Sequence, residues 1–198
     1  FGYDEKNSGS GSMDLAEIDS ALSNAGVKFD FVGFDACLMA TAETALMLNK
    51  HADYMIASEE TEPGIGWYYT DWLTALGRNT SVSTIETGKK IIDDFVSTCA
   101  KRCRGQKTTL SIVDLAEFSN TVPDRLNSFA LSVSNMMSNQ EYKAVSDARY
   151  LTREFAVSSK IDQVDLAHLA LNMNNPEGEE LSNAIRKAVK YNRTSSNI

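Results

Sequence analysis

Cys37 is the residue of this chain whose position speaks most directly of chemistry. It follows a nearly unbroken apolar run, 27–34 (VKFDFVGF), and precedes an Ala-, Leu- and Met-rich segment with helical spacing, 38–49, so it falls at a strand-to-helix turn. In open α/β sheets, sites gather beyond the carboxyl ends of strands, where this thiol is expected. A thiol beside a helix N-terminus feels the positive end of the macrodipole, which favours thiolate, and adjacent backbone N–H groups can receive an oxyanion. The chemistry would be acyl transfer through a thioester. The same position also suits a small apolar residue buried under the sheet, and spacing alone leaves both readings open.

The elements that would hold this turn are readable from cap signals and periodicity. Asp14, followed three residues later by Glu17, has the form of a capping box; Leu15, Ile18, Ala21 and Leu22 follow at helical spacing, and Gly26 supplies the stop. The run 27–34 reads as a strand covered on both faces, and 54–57 as a second strand leading into a Glu-, Pro- and Gly-containing loop. A short helix is expected over 71–76, a longer one from Ser83 or Thr84 to about Cys103, and a third strand over 108–113 (TTLSIV). Beyond it the pattern turns helical: a turn at 115–118, then helices over 122–137 (opened by Thr121 and Pro123), 140–150, 162–173 and 177–191. The tail, 192–198, is polar enough to fray.

Strands separated by helices predict an α/β sheet with right-handed connections and a helical C-terminal half. Three strands make a thin sheet where five or six are usual, so the chain reads as one missing its N-terminal strands. Residues 1–13 (FGYDEKNSGSGSM) lack hydrophobic periodicity and are expected to form a flexible loop or processing segment. Residues 14–198 are expected to form a single domain.

A chain of 198 residues with 42% hydrophobic and 9% aromatic residues can bury one real core. Its formal charge of −8 and pI near 4.8 disfavour nucleic acid or an anionic membrane surface and tolerate cationic substrates better. No stretch reaches the roughly 18–20 apolar residues of a membrane span, and no signal peptide is visible. The first residue is Phe, so the sequence reads as a processed product or part of a longer one, and export stays open. Cys37, Cys99 and Cys103 are too few and odd in number for a disulfide scaffold. Cys99 and Cys103 lie one helical turn apart, with poor geometry for a disulfide, and read as core thiols. His51 falls at the end of a helix, and His168 sits among apolar residues at helical spacing; both read as structural.

Two stretches, 29–39 (FDFVGFDACLM) and 52–67 (ADYMIASEETEPGIGW), together strongly resemble the clostripain family of bacterial cysteine peptidases. The resemblance is close over 14–76 and weaker through 109–115 and the helical half. It implies an α/β fold belonging to the caspase-like clan: a mostly parallel sheet flanked by helices, with a catalytic His after one strand and the nucleophilic Cys after the next. Cys37 matches the nucleophile. The resemblance also implies cleavage after Arg or Lys, a preference associated with an aspartate two residues before the cysteine, which is Asp35. The chemistry agrees, because a carboxylate pairs a guanidinium bidentately or an ammonium as a point charge. Asp35 also suits a turn residue bonding the backbone of the following helix. Glu59, Glu60 and Glu62 form an acidic loop after the neighbouring strand; Glu60 and Glu62 are the candidates to help line a cationic pocket, against the plainer reading of a solvated charge run.

One feature departs from the family. Its catalytic histidine lies in a His-Gly motif upstream of the region corresponding to Phe1, and neither His51 nor His168 fits it. The resemblance therefore implies a heavy-chain-like portion whose base comes from an upstream light-chain segment, with Lys6 in its exposed loop a candidate processing site. It further implies peptide or protein substrates containing Arg or Lys, and a secreted or cell-envelope location in a bacterium. Some relatives need calcium, but no Asp-x-Asp-x-Asp loop appears here, so calcium stays open and no metal ligands are named. The other readings are a non-catalytic peptidase-like module binding basic peptides, and a flavodoxin-like ligand domain, which the absence of a Gly-rich phosphate cradle disfavours.

Overall fold

In the computed structural model, Gly2 and residues 5–198 are described. Asp14 caps helix α1 (Leu15–Ala25): its side chain accepts the Glu17 amide while the Glu17 carboxylate accepts the Asp14 amide, and Gly26 closes the helix in the left-handed conformation. Strand β1 (Phe29–Gly33) pairs in parallel with β2 (Ala52–Ala57), the two joined across helix α2 (Ala42–Leu48). Helices α3 (Tyr69–Arg78) and α4 (Thr84–Arg102) lead into β3 (Thr109–Asp114), which runs antiparallel to β2. Then come α5 (Leu115–Ser138), α6 (Tyr142–Leu151), a small hairpin of β4 (Glu154–Phe155) and β5 (Gln163–Val164), α7 (Leu166–Asn172), α8 (Pro176–Ala188) and β6 (Val189–Thr194). The main sheet has the order β1-β2-β3-β6.

Helices cover both faces of this sheet. On one face Leu48 of α2, Phe118, Val122 and Phe129 of α5 and Leu181 and Ala184 of α8 bury Met55 and Val113. On the other, Ile91, Ile92 and Phe95 of α4 pack on Ile56, Leu110 and Ile112. Both clusters are nearly dry, and each large side chain they bury contributes on the order of 1.5–3 kcal/mol against chain entropy. The result is a stiff platform beneath the carboxyl ends of β1 and β2.

The α/β sheet flanked by helices is as expected, with differences inside it. Parallel pairing holds for β1 and β2 alone; β2–β3 and β3–β6 are antiparallel. β1 is not covered on both faces: Phe29, Asp30 and Gly33 are exposed, because β1 is an edge strand here with β2 as its one neighbour among the described residues. The helix read to residue 191 stops at Ala188, and Val189–Thr194 forms β6 instead of a fraying tail. Alternation in VKYNRT won over helical continuation, and Ser195 fastens the end by bonding both the carbonyl and the amide of Thr108. α5 is one helix of 24 residues with Pro123 inside it. Asp114 caps it immediately after β3, so the proline does not mark its start. The expected helix from residue 162 is shortened to α7 by the hairpin, with Asp165 capping the His168 amide. Residues 5–10 form an exposed 3-10 segment kinked at Asn7. The rest of the expected flexible start includes Phe1, Tyr3 and Asp4, which lie outside the described residues.

Candidate active site

The turn that carries Cys37 is stitched to the loop after β2 as though the parallel pairing continued past the strands. The Phe34 amide donates to Ile56 O at 3.0 Å, the Leu38 amide to Glu60 O at 3.2 Å and the Ala40 amide to Ser58 O at 3.0 Å. The Glu62 amide donates to Cys37 Sγ at 3.2 Å. The thiol is exposed, and the Cys37 amide makes no hydrogen bond to another described residue. Leu38 has φ 65°, a conformation that costs a non-glycine residue on the order of 1–3 kcal/mol and persists only where surrounding bonds hold it. Here the Glu60 carbonyl does so.

One expectation about this turn is corrected. α2 begins at Ala42 with Thr41 as its cap, four positions beyond Cys37, so the thiol is not at a helix N-terminus and the macrodipole argument falls. The Glu62 N–H is the donor that reaches the sulfur, and such a contact strengthens when its acceptor carries charge.

Asp35 lies two residues away. Both of its carboxylate oxygens accept the Trp67 amide at 3.1 Å, and Oδ2 also accepts the Tyr69 hydroxyl at 3.0 Å. Two glycines make this approach possible. A Cβ on Gly66, whose φ is +63°, would stand 2.8 Å from Asp35 Oδ2, and one on Gly33 would stand 2.8 Å from the Trp67 ring. Glu62 faces Asp35 within hydrogen-bonding reach; its Oε1 accepts the Trp67 indole N–H at 3.4 Å, while Oε2 is buried without a partner. Burial first, and then the neighbouring Asp35, push the Glu62 carboxyl up to about 9, and burial together with Asp35 pushes the Tyr69 phenol up to about 12. Trp67 stacks on Tyr69 with ring centroids 6.4 Å apart, and Tyr69 packs on Trp72 at 5.7 Å. Two carboxyl groups against a wall of aromatic rings suit an organic cation, through charge and through the ring faces.

Glu60 does not join this group. It is buried, and its Oε1 accepts the Thr61 amide at 2.8 Å and the Ala156 amide at 2.9 Å. Its carboxylate ties the β4–β5 hairpin to the site loop rather than lining the pocket. Glu59 also points into the fold: it accepts the Ser111 hydroxyl at 2.8 Å, and burial pushes its carboxyl up. Thr109, at the start of β3, supports the loop from below, its Oγ1 accepting the amides of Glu59 and Glu60 at 2.9 and 3.1 Å.

The histidines are structural, as the sequence reading has them. His51 is buried with Nε2 2.7 Å from Asp19 Oδ1, and His168 Nδ1 accepts the Arg153 amide at 3.1 Å. Cys99 is buried, and burial pushes its thiol up to about 12; Cys103 is half-buried at the end of α4. Lys6 lies exposed in the 3-10 segment. No set of three or more His, Cys, Asp or Glu among the described residues is arranged to hold a metal ion, and no helix among them is long and apolar enough to cross a membrane. The sequence reading did not single out Tyr69, which bonds Asp35, or Trp72, which packs on Tyr69. The signal was the aromatic density of 67–72 (WYYTDW) directly after the acidic loop.

An exposed thiol, and beside it an amide without a hydrogen bond to another described residue, stand next to the Asp35 and Glu62 carboxyls and the rings of Trp67 and Tyr69; a thiol and a free N–H are groups that acyl transfer needs. Comparison with known proteins agrees in fold. Over 98% of its length the chain superposes on 78% of a cysteine protease from B. fragilis, with TM-score 0.67 and 22% identity. It likewise matches 80% of a clostripain from Bacteroides thetaiotaomicron solved with a peptide inhibitor, with TM-score 0.64 and 15% identity over 98% of the chain. A secreted C11 cysteine protease from the same species gives TM-score 0.67 and 19% identity over 93% of this chain and 48% of its own. No curated protein matches the sequence. The clostripain family model matches residues 1–196, and the chain therefore belongs to the clostripain family.

Proposed function

We propose that this chain is the nucleophile-bearing part of a cysteine endopeptidase that cleaves after Arg or Lys. The observation that supports the reading is Cys37, exposed on a strained turn, next to Asp35, Glu62, Trp67 and Tyr69, whose carboxyls and rings would form the pocket. A basic side chain enters that pocket and Asp35 grips it. The substrate carbonyl then lies at Cys37, whose thiolate attacks the carbonyl carbon. The Cys37 amide receives the oxyanion, the amine leaves with a proton, and water hydrolyses the acyl-enzyme.

The proton donor is a histidine from an upstream segment. Two observations support this: His51 and His168 are committed to Asp19 and Arg153, and β1 is, among the described residues, an edge strand whose free side lies beside Cys37. Residues 14–198 then form a single domain completed by that segment, with Lys6 as the site at which the two parts are separated. One solved relative is described as secreted, which supports a secreted or envelope location here. A non-catalytic binder of basic peptides is the second reading, favoured by the engagement of both histidines elsewhere.

The test is cleavage of peptides with Arg, Lys or neutral residues before the scissile bond by the full-length protein. Turnover of Arg and Lys peptides alone is expected, with none in Cys37→Ala. Asp35→Asn is expected to raise KM about 10- to 100-fold, the worth of a charge-assisted contact. Full activity in Cys37→Ala overturns the reading, and tight binding of basic peptides without any cleavage favours the second one.

A further inference from the structure

Donor supply treats the two pocket carboxyls very differently. Asp35 accepts the Trp67 amide on both oxygens and the Tyr69 hydroxyl on one, whereas Glu62 has a single long contact, 3.4 Å from the Trp67 indole, and its Oε2 is buried with no donor at all. Two ionised carboxylates within hydrogen-bonding reach repel, and an oxygen without a donor is satisfied only if one of the pair carries hydrogen. Glu62 is the one left short of donors, so the hydrogen belongs on it.

We propose that Glu62 holds a proton while the pocket is empty and releases it to solvent when a cationic side chain enters, so that recognition of a basic residue is coupled to release of one proton. This rests on the pocket reading above. A guanidinium brings five N–H donors and a full positive charge to Asp35, and its field acts on the neighbouring Glu62 carboxyl, whose Oε2 is itself buried. A unit charge about 4 Å away shifts an acid equilibrium by about a thousandfold at the effective dielectric of a protein surface. That is sufficient to carry Glu62 from about 9 in the empty pocket to below neutral.

The other groups facing Glu62 do not blur the effect. Tyr69, from α3, and Cys99, from α4, are both pushed up to about 12 and stay protonated through neutral pH. Asp35, from the turn after β1, is the acceptor in the pair. Cys37, whose sulfur takes the Glu62 backbone amide, is controlled for by leaving it intact in every variant.

The experiment is calorimetric titration of the full-length protein with benzamidine, an amidinium probe, at pH 7.5 in buffers of different ionisation enthalpy, which counts protons exchanged. Release of close to one proton per benzamidine is expected, with affinity rising up to tenfold per pH unit. In Glu62→Gln, binding persists with release close to zero and a flat pH profile. Binding without proton release in the native protein overturns the proposal, as does unchanged release in Glu62→Gln. Binding that is absent, or indifferent to Asp35→Asn, overturns the pocket reading itself.

Discussion

Gly66 shows how closely recognition in this site is tied to backbone conformation. It has no side chain, yet its positive φ and the 2.8 Å that a Cβ would leave to Asp35 Oδ2 tie its backbone to the position of that carboxylate. Gly66→Ala is expected to cost about 1–2 kcal/mol of stability through the left-handed backbone and to raise KM for Arg and Lys peptides by displacing Asp35. Thermal melts read with peptide kinetics check both. A variant with normal melting and normal KM would show that the loop yields freely. Glu62 gives a pH signature of its own. Its folded-state value of about 9 lies above the ordinary 4.5, so between those limits the folded protein binds more protons than the unfolded chain and stability declines as pH rises. Glu62→Gln is therefore expected to gain on the native protein in denaturant melts from pH 5 to pH 9; a constant gap would contradict the assignment. Cys37 and Asp35 stand out from the turn and motif around them and Glu62 from its acidic loop, and the structure brings these three side by side, whereas Glu60 lies apart from them. An acidic run in a loop looks solvated in sequence, and nothing local reveals that the Ala156 amide, 96 positions away, takes one of its carboxylates.

At the scale of elements, that Glu60–Ala156 bond joins the Cys37 turn to the β4–β5 hairpin. Glu60 O holds the Leu38 amide while its side chain holds Ala156. Glu60→Ala leaves buried amides unsatisfied and is expected to cost about 1–3 kcal/mol, with faster amide exchange concentrated in residues 154–164 and around Leu38. Exchange mass spectrometry distinguishes this from global loosening, which would raise exchange in α4 and β3 equally. Elements with local signals were readable: the Asp14–Glu17 box and the Gly26 stop define α1, and the apolar runs define β1, β2 and β3. The misjudged elements depend on distant partners. β6 becomes a strand because β3 offers it an edge, and α5 runs through Pro123 because its flanks pack on the sheet and α8. A seven-residue pattern could not tell where α2 starts, and that error led to the misplaced macrodipole at Cys37.

At the scale of the whole molecule, the main sheet ends, among the described residues, in two edge strands, β1 and β6. β6 and its tail are fastened to β3 and Thr108, whereas β1 leaves Phe29, Asp30 and Gly33 exposed beside the Cys37 turn. A parallel strand added to β1 would deliver its own carboxyl-end residue next to Cys37, the route by which the proposed histidine of another segment would reach the reaction. The net charge of −8 favours cationic over anionic partners, in the same sense as the proposed pocket. The most direct test of the account is covalent labelling of the full-length enzyme with a peptide chloromethyl ketone ending in arginine, followed by peptide mapping. One adduct on Cys37 Sγ is predicted, strongly reduced in Asp35→Asn and absent with an aspartate-ending analogue. Inactivation with the label on any other residue, or labelling of Cys37 indifferent to the side chain presented, would contradict it.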